Sequence, residues 1–307
     1  MSVLHEACFY RGMTGFVEAA KAFIEEDAAA GQAVLVAVSA AKIDALREVL
    51  GADRQVTFAD MAQLGRNPGR IISTWRRFVG EQQAAGRACR GIGEPIWPGR
   101  TEAELVECQR HEVLLNSAFA AASPWRLLCT YDITALKPAV LDEAMRSHPT
   151  VTSDGVRAPS EDYLPDLDRL GPELPAPPPR SEELAFTKES LRAVRRLVLE
   201  RARQAGLSGE AAEDLALAAH EIAVNSVRHG GGWGLLHVWR AEGSLICQVD
   251  DYGTIVDPLV GRAIPAPGAR LGRGLWMVNE LCDLVRLRST DDGTVVRMQM
   301  NLPQRES

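Results

Sequence analysis

A glutamate and an asparagine stand four residues apart in the stretch HEIAVNSVRHGGG, residues 220–232. In a helix, Glu221 and Asn225 lie one turn apart and therefore share a face. The three residues between them are apolar, as in a helix interior, where a buried polar group needs a partner. An asparagine oxygen can ligate Mg²⁺, and a glutamate one turn earlier can take a proton from an attacking hydroxyl. The pair therefore predicts a ligand.

Three further motifs follow in order. Asp251 and Gly253 form D-x-G at the end of an apolar run, GRGL at 272–275 precedes a helical pattern, and Gly293 with Thr294 opens a last apolar run. A strand-end carboxylate can accept a hydrogen bond from an adenine amino group, and the following glycine lets the base approach the backbone. Glycines at a helix start expose N–H groups to phosphate. Each motif alone is more often a turn or a helix entry, but their conjunction is specific.

The elements that position these motifs are predicted from hydrophobic periodicity. A strand at 184–187 leads to a helix over 190–205, and Ser208 caps a second helix that carries the glutamate and asparagine. Two strands, WGLLHVWRA and SLICQVDD, form a hairpin, and after a short helix LVRLRS pairs with TVVRMQM across the turn TDDG. We predict an α/β sandwich with an antiparallel sheet.

Together the motifs resemble the N, G1, G2 and G3 boxes of the GHKL (Bergerat-fold) ATPases over residues 184–302. The phrase GRGLWMVNELCDLVRLRS, followed by GT, is similar to the RsbW-like anti-sigma-factor serine kinases and to RsbA-type actinobacterial regulators. The resemblance implies a kinase that binds ATP and Mg²⁺. It implies these roles: Asn225 as the Mg²⁺ ligand, Glu221 as the general base, Asp251 as the acceptor of the adenine amine, Gly253 as space for the base, Thr294 as support for the adenine site, and Gly272, Arg273 and Gly274 as phosphate-facing residues.

The chain departs from the family pattern in two places. Ile255 stands where a second glycine is expected after Gly253. The lid, which we define as the residues between Gly253 and Gly272, is short and contains three prolines, Pro258, Pro265 and Pro267. No phosphoacceptor histidine in a dimerising helical hairpin precedes this region, which disfavours the catalytic half of a histidine kinase. His220 and His229 are interpreted as helix surface or cap residues.

Residues 4–151 show a different pattern. Apolar runs such as AVLVAV (33–38) and WRLLCTYD (125–132) alternate with helical patterns, which predicts a mainly parallel three-layer α/β domain. No G-x-x-x-x-G-K-[ST] follows any of these runs, so the phosphate loop is lacking. The phrases HEACFY, GEPIWPGR, ECQRHEVLLNSAF and LLCTYD…SHPTV resemble the MEDS sensory domain. The resemblance implies that this domain, over residues 1–152, senses an unidentified small molecule.

Two cysteine–histidine pairs in this region could form a metal site. His5 with Cys8 and Cys108 with His111 would supply four ligands of tetrahedral zinc if the pairs were adjacent. The alternative is that these residues belong to the core, and Trp97, between two prolines, suits an organic pocket at least as well. A second E-x-x-x-N, Glu112 to Asn116, is interpreted as structural because no glycine motif follows it.

Composition and charge limit the functions that this chain can have. The 307 residues are 46% hydrophobic and 24% charged, enough for two domains, and residues 153–183 form a proline-rich linker before a kinase domain at 184–307. The net charge of −7 gives no support for direct nucleic-acid binding. No secretory signal or membrane-spanning run is recognisable, and the six scattered cysteines suit a reducing compartment, so we expect a cytoplasmic protein.

These observations predict a signal-responsive anti-sigma factor. Its C-terminal domain would bind ATP and Mg²⁺, hold a sigma factor and phosphorylate a serine on a STAS-type anti-sigma antagonist, while the N-terminal domain responds to a small molecule. The resemblance also allows a homodimer. The alternative is a nucleotide-dependent module that binds the sigma factor or another partner without kinase activity, which Ile255 and the short lid favour.

Overall fold

The computed structural model describes residues 4–26, 31–51, 56–119, 125–168, 171, 173–241, 243–264 and 273–303. Gly272, which is expected to face phosphate, lies outside the described residues, as do Pro265 and Pro267. The chain divides into two units, residues 1–170 and 171–307. Each unit has its own sheet.

The N-terminal unit is an α/β domain. Its strands are β1 Leu4–Tyr10, β2 Ala33–Val38, β3 Val56–Asp60, β4 Cys89–Gly93, β5 Arg126–Asp132, β6 Thr150–Ser153 and β7 Val156–Pro159. Its helices are α1 Gly12–Glu25, α2 Ala40–Leu50, α3 Met61–Leu64, α4 Ile71–Ala84, α5 Glu102–Ala118 and α6 Pro138–Ser147. The sheet order is β3-β2-β4-β5-β1-β6-β7, and every pair is parallel except β6 with β7.

The layering follows from the order of the strands. The chain moves from β1 through β2 to β3 in one direction along the sheet and from β4 through β5 to β6 in the other. Because crossovers between parallel strands are right-handed, the helices of the two runs cover opposite faces. The contacts agree, since α1 packs on α2 while α5 packs on α4 and α6. All six residues of β2 are buried, as expected of a strand covered on both faces.

The sheet continues into residues that the sequence assigns to the linker. β7 pairs with β6 in an antiparallel hairpin, and the next strand of the chain begins at Glu182. The division between the two units falls at residues 170–171. The domain boundaries at 152 and 184 stay a prediction.

The C-terminal unit contains an antiparallel sheet. Its strands are β8 Glu182–Thr187, β9 Trp233–Ala241, β10 Ser244–Asp251, β11 Leu284–Thr290 and β12 Gly293–Asn301, and its helices are α7 Leu191–Ala205, α8 Gly209–His229 and α9 Arg273–Leu281. The sheet order is β11-β12-β10-β9-β8, and all pairs are antiparallel. α8 packs on α7, α9 and the strands β9, β10 and β12. The predicted fold class, a mainly parallel α/β domain followed by an α/β sandwich, is confirmed.

Helix α8 carries Glu221 and Asn225. The Ser208 hydroxyl accepts the N–H of Ala211 at 3.2 Å and so caps the first turn, as predicted. An alanine-rich face of α8 is buried against the sheet, which leaves Glu221 and Asn225 half-buried at its edge. The helix ends at His229.

Candidate functional site

A cavity of about 530 Å³ lies where α8, the end of β10, the loop after it, the start of α9 and β12 meet. Its volume is in the range of small-molecule pockets. Seven of the eight residues predicted from the sequence line it: Glu221, Asn225, Asp251, Gly253, Arg273, Gly274 and Thr294. The structure therefore brings together every predicted site residue that it describes. Their individual roles stay predictions.

The Asp251 carboxylate is held from two sides. Its Oδ2 accepts the Ser226 hydroxyl at 2.5 Å, and its Oδ1 accepts the N–H of Gly253 at 2.7 Å. A carboxylate has about four acceptor positions, so these two bonds fix its orientation and leave positions for a ligand donor. Ser226 is buried and follows Asn225 directly. Sequence reasoning missed it, because its role depends on a strand 25 residues away.

The neighbouring carboxylate points elsewhere. Successive strand residues face opposite sides of a sheet. Asp250 accepts the Gln248 side-chain amide at 2.8 Å and lies 3.3 Å from His237 Nε2. Burial raises the pKa of Asp250, although Gln248 and His237 act in the opposite direction. Of these two aspartates, Asp251, which belongs to the D-x-G motif, is therefore the one that faces the cavity.

Two glycines allow the chain to close tightly around Asp251. A Cβ on Gly230 would lie 2.4 Å from Asp251 Cγ, and a Cβ on Gly253 would lie 2.7 Å from the His229 carbonyl oxygen. Neither distance leaves room for a side chain. The adenine end of the predicted site is therefore formed by backbone at close approach. The sequence indicated this for Gly253 but not for Gly230.

A chain of hydrogen bonds connects the D-x-G turn to the last hairpin. The Thr294 hydroxyl donates to the Gly253 carbonyl at 2.7 Å and lies 2.8 Å from the Ser289 hydroxyl. The Ser289 oxygen in turn accepts the N–H of Ile255 at 2.8 Å. Thr294 thus supports the turn beside Asp251 through the backbone. Ser289 was not identified from the sequence, where it is one polar residue in the run LVRLRS.

Glu221 and Asn225 face the first turn of α9. A Cβ on Gly274 would lie 3.2 Å from Glu221 Oε2 and 3.3 Å from Asn225 Nδ2. Glycine at this position lets the N-terminus of the nine-residue helix α9 approach both polar side chains. Helix N-terminal N–H groups favour anions, and a carboxylate beside an amide suits a hydrated Mg²⁺. Arg273, the first residue of α9, lines the cavity and adds a positive charge at this end.

The described part of the lid is attached to α9 by one buried side chain. Asn279 Nδ2 donates to the carbonyl oxygens of Gly261 at 3.1 Å and of Leu275 at 3.2 Å. Gly261 has a φ of +72°, and a Cβ there would lie 2.8 Å from Leu275 Cβ. This attachment was not identified from the sequence.

The lining of the cavity suits a nucleotide. Its apolar residues are Ile222, Ile255, Val260, Leu275, Met277 and Val296. Such a surface can cover a flat base, while Asp251 at one end can accept a hydrogen bond from an amino group. At the other end Glu221, Asn225 and the start of α9 can hold a metal ion and phosphates. The residues present therefore fit ATP with Mg²⁺.

The metal site considered for the N-terminal unit, His5, Cys8, Cys108 and His111, is not formed. His5 and Cys8 are three residues apart on β1 and so lie on opposite faces of the sheet. The Cys108 thiol donates to the Pro95 carbonyl at 3.3 Å. This possibility grouped residues by short spacing, whereas the pleat of the strand separates the first pair.

Two models of protein families match separate parts of the chain. Residues 4–149 match the model of the MEDS family (methanogen/methylotroph, DcmR sensory domain), and residues 184–300 match the histidine kinase-like ATPase domain. No curated protein matches the chain. Among the described residues, no helix combines the length and the apolar character needed to cross a membrane.

Several solved structures are similar to part of the chain. The RsbU and RsbW domains of Rv1364c from Mycobacterium tuberculosis share 20% identity over 40% of this chain and 33% of that chain, with a TM-score of 0.31. The histidine kinase domain of the E. coli osmosensor EnvZ shares 17% over 45% of this chain and 95% of that chain, with a TM-score of 0.25. The Acinetobacter baumannii histidine kinase AdeS shares 10% over 41% of this chain and 70% of that chain, with a TM-score of 0.24. This chain spans only a third of the mycobacterial structure.

Proposed function

This chain carries a MEDS domain and a histidine kinase-like ATPase domain, and from that premise we propose that the cavity beside α8 binds ATP with Mg²⁺. The domain pair is that of an ATPase- or kinase-type regulator. The observation that carries the proposal is the convergence of Glu221, Asn225, Asp251 and Gly274 on one cavity. These residues come from three separate elements, each at the boundary that the chemistry requires.

The residues at one end of the cavity would bind adenine, and those at the other end would bind Mg²⁺ and the phosphates. Asp251, oriented by Ser226 and the Gly253 N–H, would accept the adenine amino group. Asn225 would ligate Mg²⁺ through its amide oxygen. Arg273 and the first N–H groups of α9 would bind the phosphates. When bound, ATP with Mg²⁺ would supply the phosphoryl group and a counter-charge for it.

The chemistry we propose is phosphorylation of a protein serine. Glu221 would take the proton of the serine hydroxyl as that oxygen bonds to the γ-phosphorus and ADP leaves. The substrate would be a STAS-type anti-sigma antagonist, and the chain would bind a sigma factor when the antagonist is phosphorylated. The support is the resemblance of the four motifs to the RsbW-like kinases, together with the position of Glu221 beside α9. A small molecule bound by the MEDS domain would set the activity.

Phosphotransfer from γ-labelled ATP tests this proposal. The full-length chain is incubated with candidate STAS proteins, and Glu221→Gln is compared with Glu210→Gln, which changes an exposed glutamate in the first turn of the same helix. We expect Glu221→Gln to keep ATP binding and to lower phosphotransfer by a factor of about 10² to 10⁴. Equal phosphotransfer by the two variants would exclude Glu221 as the base.

A second candidate function is a nucleotide-dependent binding module without kinase activity. The observation that favours it is Ile255, whose N–H is bonded to the Ser289 hydroxyl and whose side chain packs against the core. This residue makes the D-x-G turn more constrained than a second glycine would. If the wild type binds ATP and captures a sigma factor but phosphorylates no cognate antagonist, this second function replaces the first.

A further inference from the structure

Four side chains with metal-binding atoms meet in the interior of the N-terminal unit. They are His5 on β1, Cys129 on β5, Glu112 on α5 and His148 directly after α6, and each is at most 1% exposed. β1 and β5 are adjacent and parallel, with His5 opposite Leu127, so Cys129 lies two residues further along the same face. This is the face that α5 and α6 cover.

The four ligand atoms are at the spacing of a coordination shell. Glu112 Oε2 lies 2.9 Å from His5 Nε2, 3.2 Å from His148 Nε2 and 3.4 Å from Cys129 Sγ. His5 Nε2 lies 3.3 Å from Cys129 Sγ, and all four atoms lie within 4.8 Å of one another. A tetrahedral zinc ion with bonds of about 2.0–2.3 Å separates its ligands by roughly 3.3–3.8 Å. Modest shifts of these side chains would therefore complete such a shell.

A hydrogen bond at Nδ1 orients each of the two imidazole rings. His5 Nδ1 lies 3.1 Å from Asn116 Oδ1, and Asn116 Nδ2 donates to the Ser147 carbonyl at 2.8 Å, so the amide oxygen must face His5. His148 Nδ1 donates to the Ala144 carbonyl at 2.7 Å. With Nδ1 as the donor, the neutral ring carries its lone pair on Nε2. The His5 lone pair then points at the Glu112 carboxylate and His148 Nε2 lies beside it, as in metal sites whose histidines donate to outer oxygens.

Without a cation the imidazole Nε2 atoms face the Glu112 carboxylate as acceptors against an acceptor, and the one Cys129 thiol proton can satisfy only one of the contacts in the cluster. A hydrogen bond from either Nε2 requires a second proton on that ring and therefore a buried imidazolium. His148 Nε2, moreover, is close to Glu112 Oε2 but is not aligned as a hydrogen bond. A divalent ion balances the charges instead, because one carboxylate and one thiolate carry two negative charges and two neutral imidazoles carry none.

We propose that His5, Glu112, Cys129 and His148 form a binding site for one divalent transition-metal ion, Zn²⁺ by its donor set. Two imidazoles, one thiolate and one carboxylate are borderline ligands that suit tetrahedral Zn²⁺. All four positions are filled by protein and closed to solvent, so the ion would join β1, β5, α5 and the end of α6 rather than act on a substrate. The site does not depend on the function proposed for the C-terminal unit.

Elemental analysis of the full-length chain, purified without chelators, tests the site. We expect one zinc ion per chain in the wild type and in Cys8→Ser, which changes a buried cysteine on the opposite face of β1. Cys129→Ser should lose the ion. Asn116→Ala, which removes the outer acceptor of His5, should weaken the affinity by about 10- to 100-fold. Circular dichroism establishes that each variant is folded.

Refolding with Co²⁺ gives a readout that needs no folded variant. Thiolate-to-cobalt charge-transfer absorption is expected in the wild type, because Cys129 would be a ligand. A folded wild type that takes up neither Zn²⁺ nor Co²⁺ would overturn the proposal in favour of a hydrogen-bonded cluster. Co²⁺ uptake without charge-transfer absorption would also overturn it. A folded Cys129→Ser variant with the same zinc content as Cys8→Ser would do the same.

Discussion

Replacing Gly230 with alanine tests how tightly the chain closes on Asp251. The new Cβ would lie 2.4 Å from Asp251 Cγ and 2.5 Å from its Oδ1, whereas ordinary carbon contacts are about 3.5–4.0 Å. The carboxylate must therefore withdraw by about 1 Å, beyond the hydrogen-bond range of Ser226 or of the Gly253 N–H. Each hydrogen bond to a charged group contributes about 1.5–3 kcal/mol. We expect Gly230→Ala to lower the free energy of unfolding by about 2–5 kcal/mol.

The same displacement should weaken nucleotide binding. Losing one hydrogen bond to a charged group, at about 1.4 kcal/mol per tenfold change in Kd, corresponds to roughly 10- to 100-fold lower affinity for ATP. Backbone strain would not contribute to either effect. Gly230 has φ −101° and ψ 23°, which lies outside the left-handed region that favours glycine.

The matched control lies at the other end of the same helix. Gly209, the first residue of the helix, has open space where a Cβ would lie, so Gly209→Ala should leave the stability unchanged or raise it by up to about 1 kcal/mol. Urea denaturation of the full chain, followed by circular dichroism, gives the stabilities, and calorimetry gives the affinities. The reasoning is refuted if Gly230→Ala is as stable as Gly209→Ala and binds ATP equally well.

Two further predictions concern the N-terminal unit. Gly91→Ala would place a Cβ 2.6 Å from Cζ3 of the buried Trp75 and should lower the free energy of unfolding, measured by urea denaturation, by about 1–3 kcal/mol. The control Gly80→Ala, in open space on α4, should not destabilise the chain. Lys42→Met would leave Glu94, which is 5% exposed, without its half-buried cation and should lower the free energy of unfolding by about 3–5 kcal/mol. The double change Lys42→Met with Glu94→Gln should recover much of that loss. Equal stabilities of the single and double variants would contradict the second prediction.

The sequence predicted those features that local pattern determines. The run AVLVAV predicts a strand at 33–38 and the structure has β2 there, because a strand buried on both faces is apolar throughout. The helix predicted over 190–205 also agrees with α7, which spans Leu191–Ala205. Helix α6 and the hairpin of β6 and β7 were not predicted. These strands are four residues long, and β7 is exposed throughout, so they show no hydrophobic alternation.

Features that depend on tertiary contact were beyond the sequence. Ser226 and Gly230 matter because of Asp251, which β10 brings back against the end of α8. His5 was paired with a cysteine three residues away, although alternation along a strand already places such residues on opposite faces. The partners it does meet, Glu112 and Cys129, lie more than a hundred residues along the chain. Glu112 was considered only as part of a structural motif.

The central claim is that the cavity beside α8 binds ATP with Mg²⁺, and titration calorimetry of the full-length chain tests it most directly. The account predicts that the wild type binds ATP more tightly with Mg²⁺ than without it, and more tightly than GTP. Asn225→Ala should remove the Mg²⁺ enhancement, and Asp251→Asn should reduce the preference for adenine over guanine. A folded full-length chain that binds no nucleotide, with or without Mg²⁺, would contradict the account.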